Sequence, residues 1–306
     1  MLKTYTARDV HDALEWNSLA TALTAAFAVG AVVPLRHVHA LSRTDTLLLM
    51  PAWSNDVIGL KLVTVIPGAP ALGSPTVGAT YLLIDRASGE PRAVLDGDAL
   101  TVRRTATVSA IATRHCARAD AHRLLMVGTG HLAPWMIRAH CAIRPQIDCV
   151  LLWGRGVERT KALARVLVDE GLPVDVTTDL EAAVRASDIV SCATTSNTPI
   201  VHGAWVRPGT HLDLVGGFTR EMREIDDVGV ARSRISVDSY AGVLAEAGDI
   251  IVPMEQGLIT RDSVVAELAQ LVRGERQGRT NDDEITLFKS VGTALSDLAA
   301  AQLVVR

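Results

Sequence analysis

Residues 123–135, RLLMVGTGHLAPW, place an apolar strand-like run directly before Gly128, Gly130 and Ala133 in the spacing G-x-G-x-x-A, and a helix-compatible stretch follows. The first glycine permits a tight turn, the second lets backbone come close to a bound group, and the small third residue lets helix and strand pack. Such a turn works only between a strand and a helix, so it commits the middle of the chain to βαβ geometry. Strands are expected at Arg123–Val127, Cys149–Trp153, Val174–Thr177, Ile189–Ala193, His211–Val215 and Ile235–Asp238. Helices are expected from His131, over Val157–Glu170 up to the stop at Gly171, and over Leu180–Ala186. Their alternation predicts a parallel sheet covered by helices.

The flanking segments read differently. Residues 7–29 look helical, and strand-like runs follow at Thr46–Trp53, Val57–Pro67, Val77–Asp85 and Pro91–Asp96. These form an α+β segment, after which Asp98 is expected to cap a long helix to about Ala117. Near the end, a helix is expected over Ser263–Val272 with Asp262 as its cap. EITLFKSVGTALSDLAAAQLVV then passes from a strand-like start to an Ala-rich helix. The fold class read from this order is α/β: a Rossmann-type parallel sheet domain, 119–284, after a smaller α+β domain, 1–118.

Composition removes several classes of function. A formal charge of −4 and no aromatic-interleaved basic run give no surface for a nucleic acid backbone. Trp16–Leu35 carries no formal charge and approaches the length of a membrane span. Asn17, Ser18, Thr21, Thr24, Gly30 and Pro34 interrupt it, so a buried helix ending in a loop is the expectation and no membrane partner is expected. Cys116, Cys141, Cys149 and Cys192 stand singly in apolar segments and read as reduced core residues. With a polar start lacking a secretion pattern, a cytoplasmic location is expected.

The glycine turn predicts a dinucleotide whose pyrophosphate sits on backbone N–H groups at the helix start; the alternative is a βαβ turn holding nothing. An NAD site usually carries an acid at the end of the second strand. Here Trp153-Gly154 is followed by Arg155, with Arg159 and Lys161 nearby, so the cations favour a 2′-phosphate and hence NADPH over NADH. The bland alternative is a solvated loop and helix face. Lys61 shares a strand face with Gly59, Val63 and Val65 in an apolar run, and a buried ammonium needs a carboxylate partner or becomes neutral; otherwise it reaches out from an edge strand. Successive helix residues diverge by about 100°, so at most one of Arg103 and Arg104 faces a pocket. Arg36-His37-Val38-His39 offers another cation, and its His pair lacks a third ligand at convincing spacing, so no metal is expected.

The segments PLRHVH, GLKLV, LTVRRTATVSA, VGTGHLA, SDIVSCATTSNTPIV, PGTHLDLVGGF, REIDD, AEAGDI and EITLFKSVGTALSDLAAA together resemble the ornithine cyclodeaminase/mu-crystallin family over essentially the whole chain. The resemblance implies that Arg36, Lys61 and Arg104 hold a substrate carboxylate and reacting centre, with Lys61 and Arg104 catalytic. It implies cofactor contacts at Thr80, Thr105, Gly128, Thr129, Gly130, His131, Leu132, Ala133, Arg155, Thr194, Val215, Gly216 and the Lys289-Ser290 stretch. It also implies that the smaller domain binds substrate, forms a homodimer and is completed by about 285–306, so that the Rossmann-type domain is inserted into it.

In the family's cyclodeaminases and alanine dehydrogenases an aspartate follows the VGG-like turn; here Phe218 follows Gly217. Phenylalanine neither pairs a second ammonium nor acts as acid or base, but it suits an apolar ring. The resemblance is therefore nearest to the Δ1-pyrroline-2-carboxylate (ketimine) reductases. It implies NAD(P)H-dependent reduction of a cyclic imino acid, Δ1-pyrroline-2-carboxylate or Δ1-piperideine-2-carboxylate, to L-proline or L-pipecolate. Ornithine cyclodeaminase stays open if Glu221 or Glu224 takes the aspartate's place, and a mu-crystallin-like NADPH-binding protein is the non-enzymatic alternative.

Overall fold

The computed structural model describes residues 2–306. They form two compact units, the chain up to Thr105 with Thr293–Arg306, and Ala106–Gly292.

The smaller unit contains β1 (Lys3–Tyr5), α1 (Ala7–Ala13), α2 (Trp16–Val29), β2 (His37–Ala40), β3 (Thr46–Trp53), β4 (Val57–Val65), β5 (Val77–Asp85) and β6 (Pro91–Asp96). The strands make one sheet in the order β1-β6-β5-β4-β3-β2, antiparallel except for the β1–β6 pair. β4 is therefore interior, and the edge-strand alternative for Lys61 falls away. The helix expected over 7–29 is two helices. Leu14 is fully buried at the break, and the Glu15 carboxylate caps α2 by accepting from the N–H groups of Asn17 at 3.0 Å and Ser18 at 2.8 Å. Among the described residues no helix is long and apolar enough to cross a membrane.

α3 (Gly97–Cys116) begins in the smaller unit and continues in the larger one. Its capping carboxylate is Asp96, which accepts from Ala99 N–H at 2.8 Å; the expected cap, Asp98, lies in the first turn.

The larger unit continues with β7 (Arg123–Val127), α4 (Ala133–Ile143), β8 (Cys149–Trp153), α5 (Val157–Asp169), β9 (Val174–Val176), α6 (Leu180–Ala186), β10 (Ile189–Cys192) and β11 (His211–Leu214). It is completed by α7 (Asp227–Ala231), β12 (Ser233–Val237), α8 (Tyr240–Glu246), α9 (Gly248–Glu255), β13 (Val264–Glu267), α10 (Leu268–Val272) and β14 (Ile285–Lys289). All eight strands are parallel, in the order β13-β12-β14-β11-β10-β7-β8-β9, as a Rossmann-type sheet requires. β10, β11 and β14 are buried along their whole length, and β7 from Leu124 onward, because helices cover both sides of the sheet.

Two expectations need correction here. Residues 263–272 are not one helix: Val264–Glu267 add β13 beside β12, and the short α10 starts from a capping box between Glu267 and Gln270 rather than from Asp262. The boundaries differ as well. The chain leaves the smaller unit at Thr105 rather than 118 and returns at Thr293 rather than 285, because β14 is hydrogen-bonded between β11 and β12.

The chain ends in α11 (Ala294–Val304), which packs on β3, β4 and α2 of the smaller unit. Most of its residues are buried, including Ser296 and Asp297, as expected of a helix enclosed on several sides.

Candidate active site

In the smaller unit, β4 presents Gly59, Lys61 and Val63 on its inner face. Lys61 is 2% exposed, and the partner that burial demands is Asp297 of α11. The ammonium lies 3.0 Å from Oδ1 and 2.9 Å from Oδ2 of that carboxylate, and 3.3 Å from the Thr101 hydroxyl of α3. Arg104 donates from Nε to Asp297 Oδ1 at 2.8 Å. Three ionic side chains from a strand and two helices thus share one buried point. Arg103, one residue earlier, turns away and lays its guanidinium over Trp16 at 3.7 Å, the divergence that helix geometry demands.

Burial, with the Arg104 charge second, lowers Lys61 from the usual 10.5 to about 7, while Asp297 pulls it back up. Burial raises Asp297, yet Arg104 and Lys61 together hold it below the ordinary carboxylate value. The result is an ammonium poised to exchange its proton near neutral pH, which is what a general acid needs. Tyr81, opposite Lys61 on β5, is fully buried, and its phenol is raised well above its usual value, by burial first and then by Asp297. Arg36, half-buried in the loop before β2, contributes a further positive field at Lys61. Thr80 and Thr105 also belong to this unit, the first exposed on the outer face of β5 and the second buried in α3.

In the larger unit the glycine turn joins β7 to α4. Gly128 has φ +118°, and a β-carbon there would stand 2.7 Å from the Ala193 carbonyl oxygen, so glycine is required twice over. A cavity of ≈ 350 Å³ opens against the turn, lined by Gly128, Thr129, Gly130, Arg155, Arg159 and Thr194, among others. That volume lies within the range of ligand pockets. The exposed Arg155 and Arg159 have no ion-pair partner among the described residues, whereas Lys161 pairs with Glu158 at 2.9 Å. A backbone cradle with unpaired cations at its rim fits a phosphorylated dinucleotide.

The other expected contacts are placed less directly. α4 opens at Ala133, so His131 and Leu132 belong to the turn rather than the helix. Val215 and Gly216 follow β11, and Ser290 follows β14, where its hydroxyl donates to Asp238 Oδ2 at 2.8 Å. Phe218 is 40% exposed. Glu224 does not replace the missing aspartate: it is fully buried, and both its oxygens accept hydrogen bonds from the backbone of Thr194, Gly216 and Gly217. Glu221 is exposed. Cys116 and Cys192 are buried, while Cys141 and Cys149 are only half-buried. Among the described residues no group of three or more His, Cys, Asp or Glu side chains is placed to hold a metal ion.

Sequence reasoning missed Asp297. Its signal was present: the one charged residue in the Leu- and Ala-rich run LSDLAAAQLV is a buried charge in need of a partner.

These features define a two-unit α/β protein whose larger unit is a Rossmann-type domain and whose smaller unit holds a buried cationic site. The chain belongs to the ornithine cyclodeaminase/mu-crystallin family, whose profile matches residues 3–306. It is 36% identical to the Δ1-pyrroline-2-carboxylate reductase of Colwellia psychrerythraea, over 99% of this chain and 98% of that one. Among solved structures, the Δ1-pyrroline-2-carboxylate reductase of Thermococcus litoralis, in complex with NADH and L-proline, superposes with a TM-score of 0.94 at 34% identity. That match covers 100% of this chain and 96% of the other. An archaeal alanine dehydrogenase dimer with bound NAD gives 0.92 at 28% identity, covering 99% and 95%.

Proposed function

We propose that this protein is an NAD(P)H-dependent ketimine reductase that converts a cyclic imino acid, Δ1-pyrroline-2-carboxylate or its six-membered homologue, into the cyclic amino acid. The observation that carries this reading is the buried Lys61–Arg104–Asp297 cluster, in a chain that resembles pyrroline-2-carboxylate reductases over its full length. With Lys61 protonated, two cations and one carboxylate leave a net charge of +1, which one substrate carboxylate neutralises. Arg104 uses Nε on Asp297, leaving its two Nη groups for that carboxylate, and Arg36 adds a second cation. The reduced nicotinamide, when bound, supplies the hydride for the C=N carbon. Lys61 delivers the proton to the ring nitrogen, directly or through water, and its lowered proton affinity eases that transfer. An apolar ring requires no second counter-charge, in keeping with Phe218 where cyclodeaminases carry an acid.

Arg155 and Arg159 at the rim of the cavity favour NADPH, although the Thermococcus litoralis relative was solved with NADH, so both cofactors belong in the assay. We expect a cytoplasmic homodimer, as in the archaeal alanine dehydrogenase dimer, and its sedimentation mass tests the assembly. The function is tested by following NADPH and NADH oxidation with pyrroline-2-carboxylate and piperideine-2-carboxylate. Wild type should turn over at least one pair, and Lys61→Ala should lose roughly 100-fold or more in kcat while keeping its fold. Unchanged turnover in the variant would remove Lys61 from the mechanism.

A further inference from the structure

β10 and β11 are neighbouring parallel strands whose pairing ends at Cys192 and Leu214, so N–H groups just beyond those ends need partners outside the ladder. One side chain satisfies them. Glu224 Oε1 accepts from the Thr194 N–H at 2.7 Å and the Thr194 hydroxyl at 3.0 Å. Oε2 accepts from the N–H groups of Gly216 at 2.8 Å and Gly217 at 3.2 Å. The fit is close, because a β-carbon on Gly216 would overlap the Thr194 backbone. Glu224 is itself fixed from both sides. Its N–H donates to Asp249 Oδ1 at 2.8 Å, and its carbonyl accepts from Ile200 at 3.0 Å and Val201 at 2.9 Å.

Thr194 lines the cavity at the glycine turn, and in open α/β sheets ligands bind outside the carboxyl ends of the strands. We propose that Glu224 is a positioning residue of the dinucleotide site, a single carboxylate that ties the chain ends after β10 and β11 into the shape they present to the cofactor. This rests on the nicotinamide-dinucleotide reading above and extends it to a residue that touches no cofactor atom.

Charged groups surround the clasp. Lys289 of β14 lies 3.8 Å from Oε2 and donates to Asp249 Oδ2 of α9 at 2.8 Å, and the guanidinium of Arg223 lies 3.8 Å from Asp249. Cys192 of β10 is a further titratable group within reach of the Glu224 charge, and burial first and then Glu224 raise its thiol well above its usual value. Burial pushes Glu224 from 4.5 up to about 7, with Lys289 opposing and Asp249 assisting. Protonation removes the charge that makes these hydrogen bonds strong, so the clasp weakens as pH falls through neutrality.

The test is titration of the full chain with NADPH and NADH, without imino acid, in wild type, Glu224→Gln and Glu224→Asp. The glutamine variant turns an NH2 group toward donors, so its cofactor Kd should rise roughly tenfold or more, while kcat at saturating cofactor changes far less. Wild-type Kd for NADH, which carries no 2′-phosphate titrating at about pH 6, should rise as pH drops from 8 to 6, and the glutamine variant should lose that dependence. If Glu224→Gln fails to fold by circular dichroism, Glu224→Asp decides, since its shorter side chain cannot span both chain ends and should bind several-fold more weakly. Wild-type affinity in either folded variant, or a Kd for NADH that does not change with pH in wild type, would overturn the proposal. A wild type that binds NADPH but reduces no cyclic imine overturns the reductase reading and leaves the clasp standing; one that binds neither dinucleotide overturns both.

Discussion

Asp297 governs how Lys61 and Arg104 behave. It raises the proton affinity of Lys61 against burial, and it fixes the plane of the Arg104 guanidinium through Nε. Asp297→Asn would leave two buried cations sharing no counter-charge, a change that typically costs about 3–5 kcal/mol. Denaturant titration should show that loss. Lys61 in the variant should titrate below its present value of about 7. If the proton comes from Lys61, the fall in wild-type kcat as pH rises through about 7 should move to lower pH in the variant. An unmoved pH profile would separate Asp297 from the proton donor. The folded-state value lies below the unfolded 10.5, so the unfolded chain binds the extra proton between about 7 and 10.5, and this group makes stability rise with pH across that window. The need of Lys61 for a carboxylate was legible in the sequence; that the carboxylate lies 236 residues away was not.

Elements built on strong local signals appeared where the sequence put them, and those depending on distant partners did not. β4 is an apolar run with period two and is found over Val57–Val65. Its Gly59 carried no visible reason in the sequence. In the fold the Tyr81 hydroxyl occupies the space of a β-carbon at that position, and Leu298 of α11 lies 2.8 Å from the same point. Gly59→Ala should therefore push β5 and α11 apart and cost about 1–3 kcal/mol, measurable by thermal or chemical unfolding. Wild-type stability would show that Tyr81 moves aside at no cost. β13 failed for the opposite reason: VVAE before LAQLV continues a helical pattern, and only pairing with β12 makes it a strand.

For the whole molecule, buried polar groups of the parallel sheet set a response to acid. His211 of β11 is fully buried, its Nδ1 is 3.0 Å from the Thr286 hydroxyl, and burial lowers it from 6.5 to about 3. The folded protein keeps this ring neutral while the unfolded chain protonates it, so its contribution is complete above about 6.5 and is lost as pH falls toward 3. Glu224, raised from 4.5 to about 7, has the opposite sign between those values. The contribution of His211 is therefore read as a difference: His211→Asn should lose less stability than wild type between pH 7 and pH 5. Parallel denaturation curves for the two proteins across that range would remove His211 as a cause of acid lability.

The sequence by itself determined the glycine turn, the strand–helix alternation around it, the strand that carries Lys61 and the chemical class that its motifs resemble; whether that lysine is buried waited for the sheet order. The turn and the elements depend on residues within about one βαβ unit, where spacing alone fixes geometry, while the chemical class rests on motifs spread along the whole chain. Tertiary structure decided the membership of β14 in the parallel sheet, the pairing of Lys61 and Arg104 with Asp297, and the burial of Glu224 against two strand ends. Those outcomes follow from long-range closure: a buried charge or an unpaired N–H states what it needs, and only the packed fold determines which distant side chain supplies it.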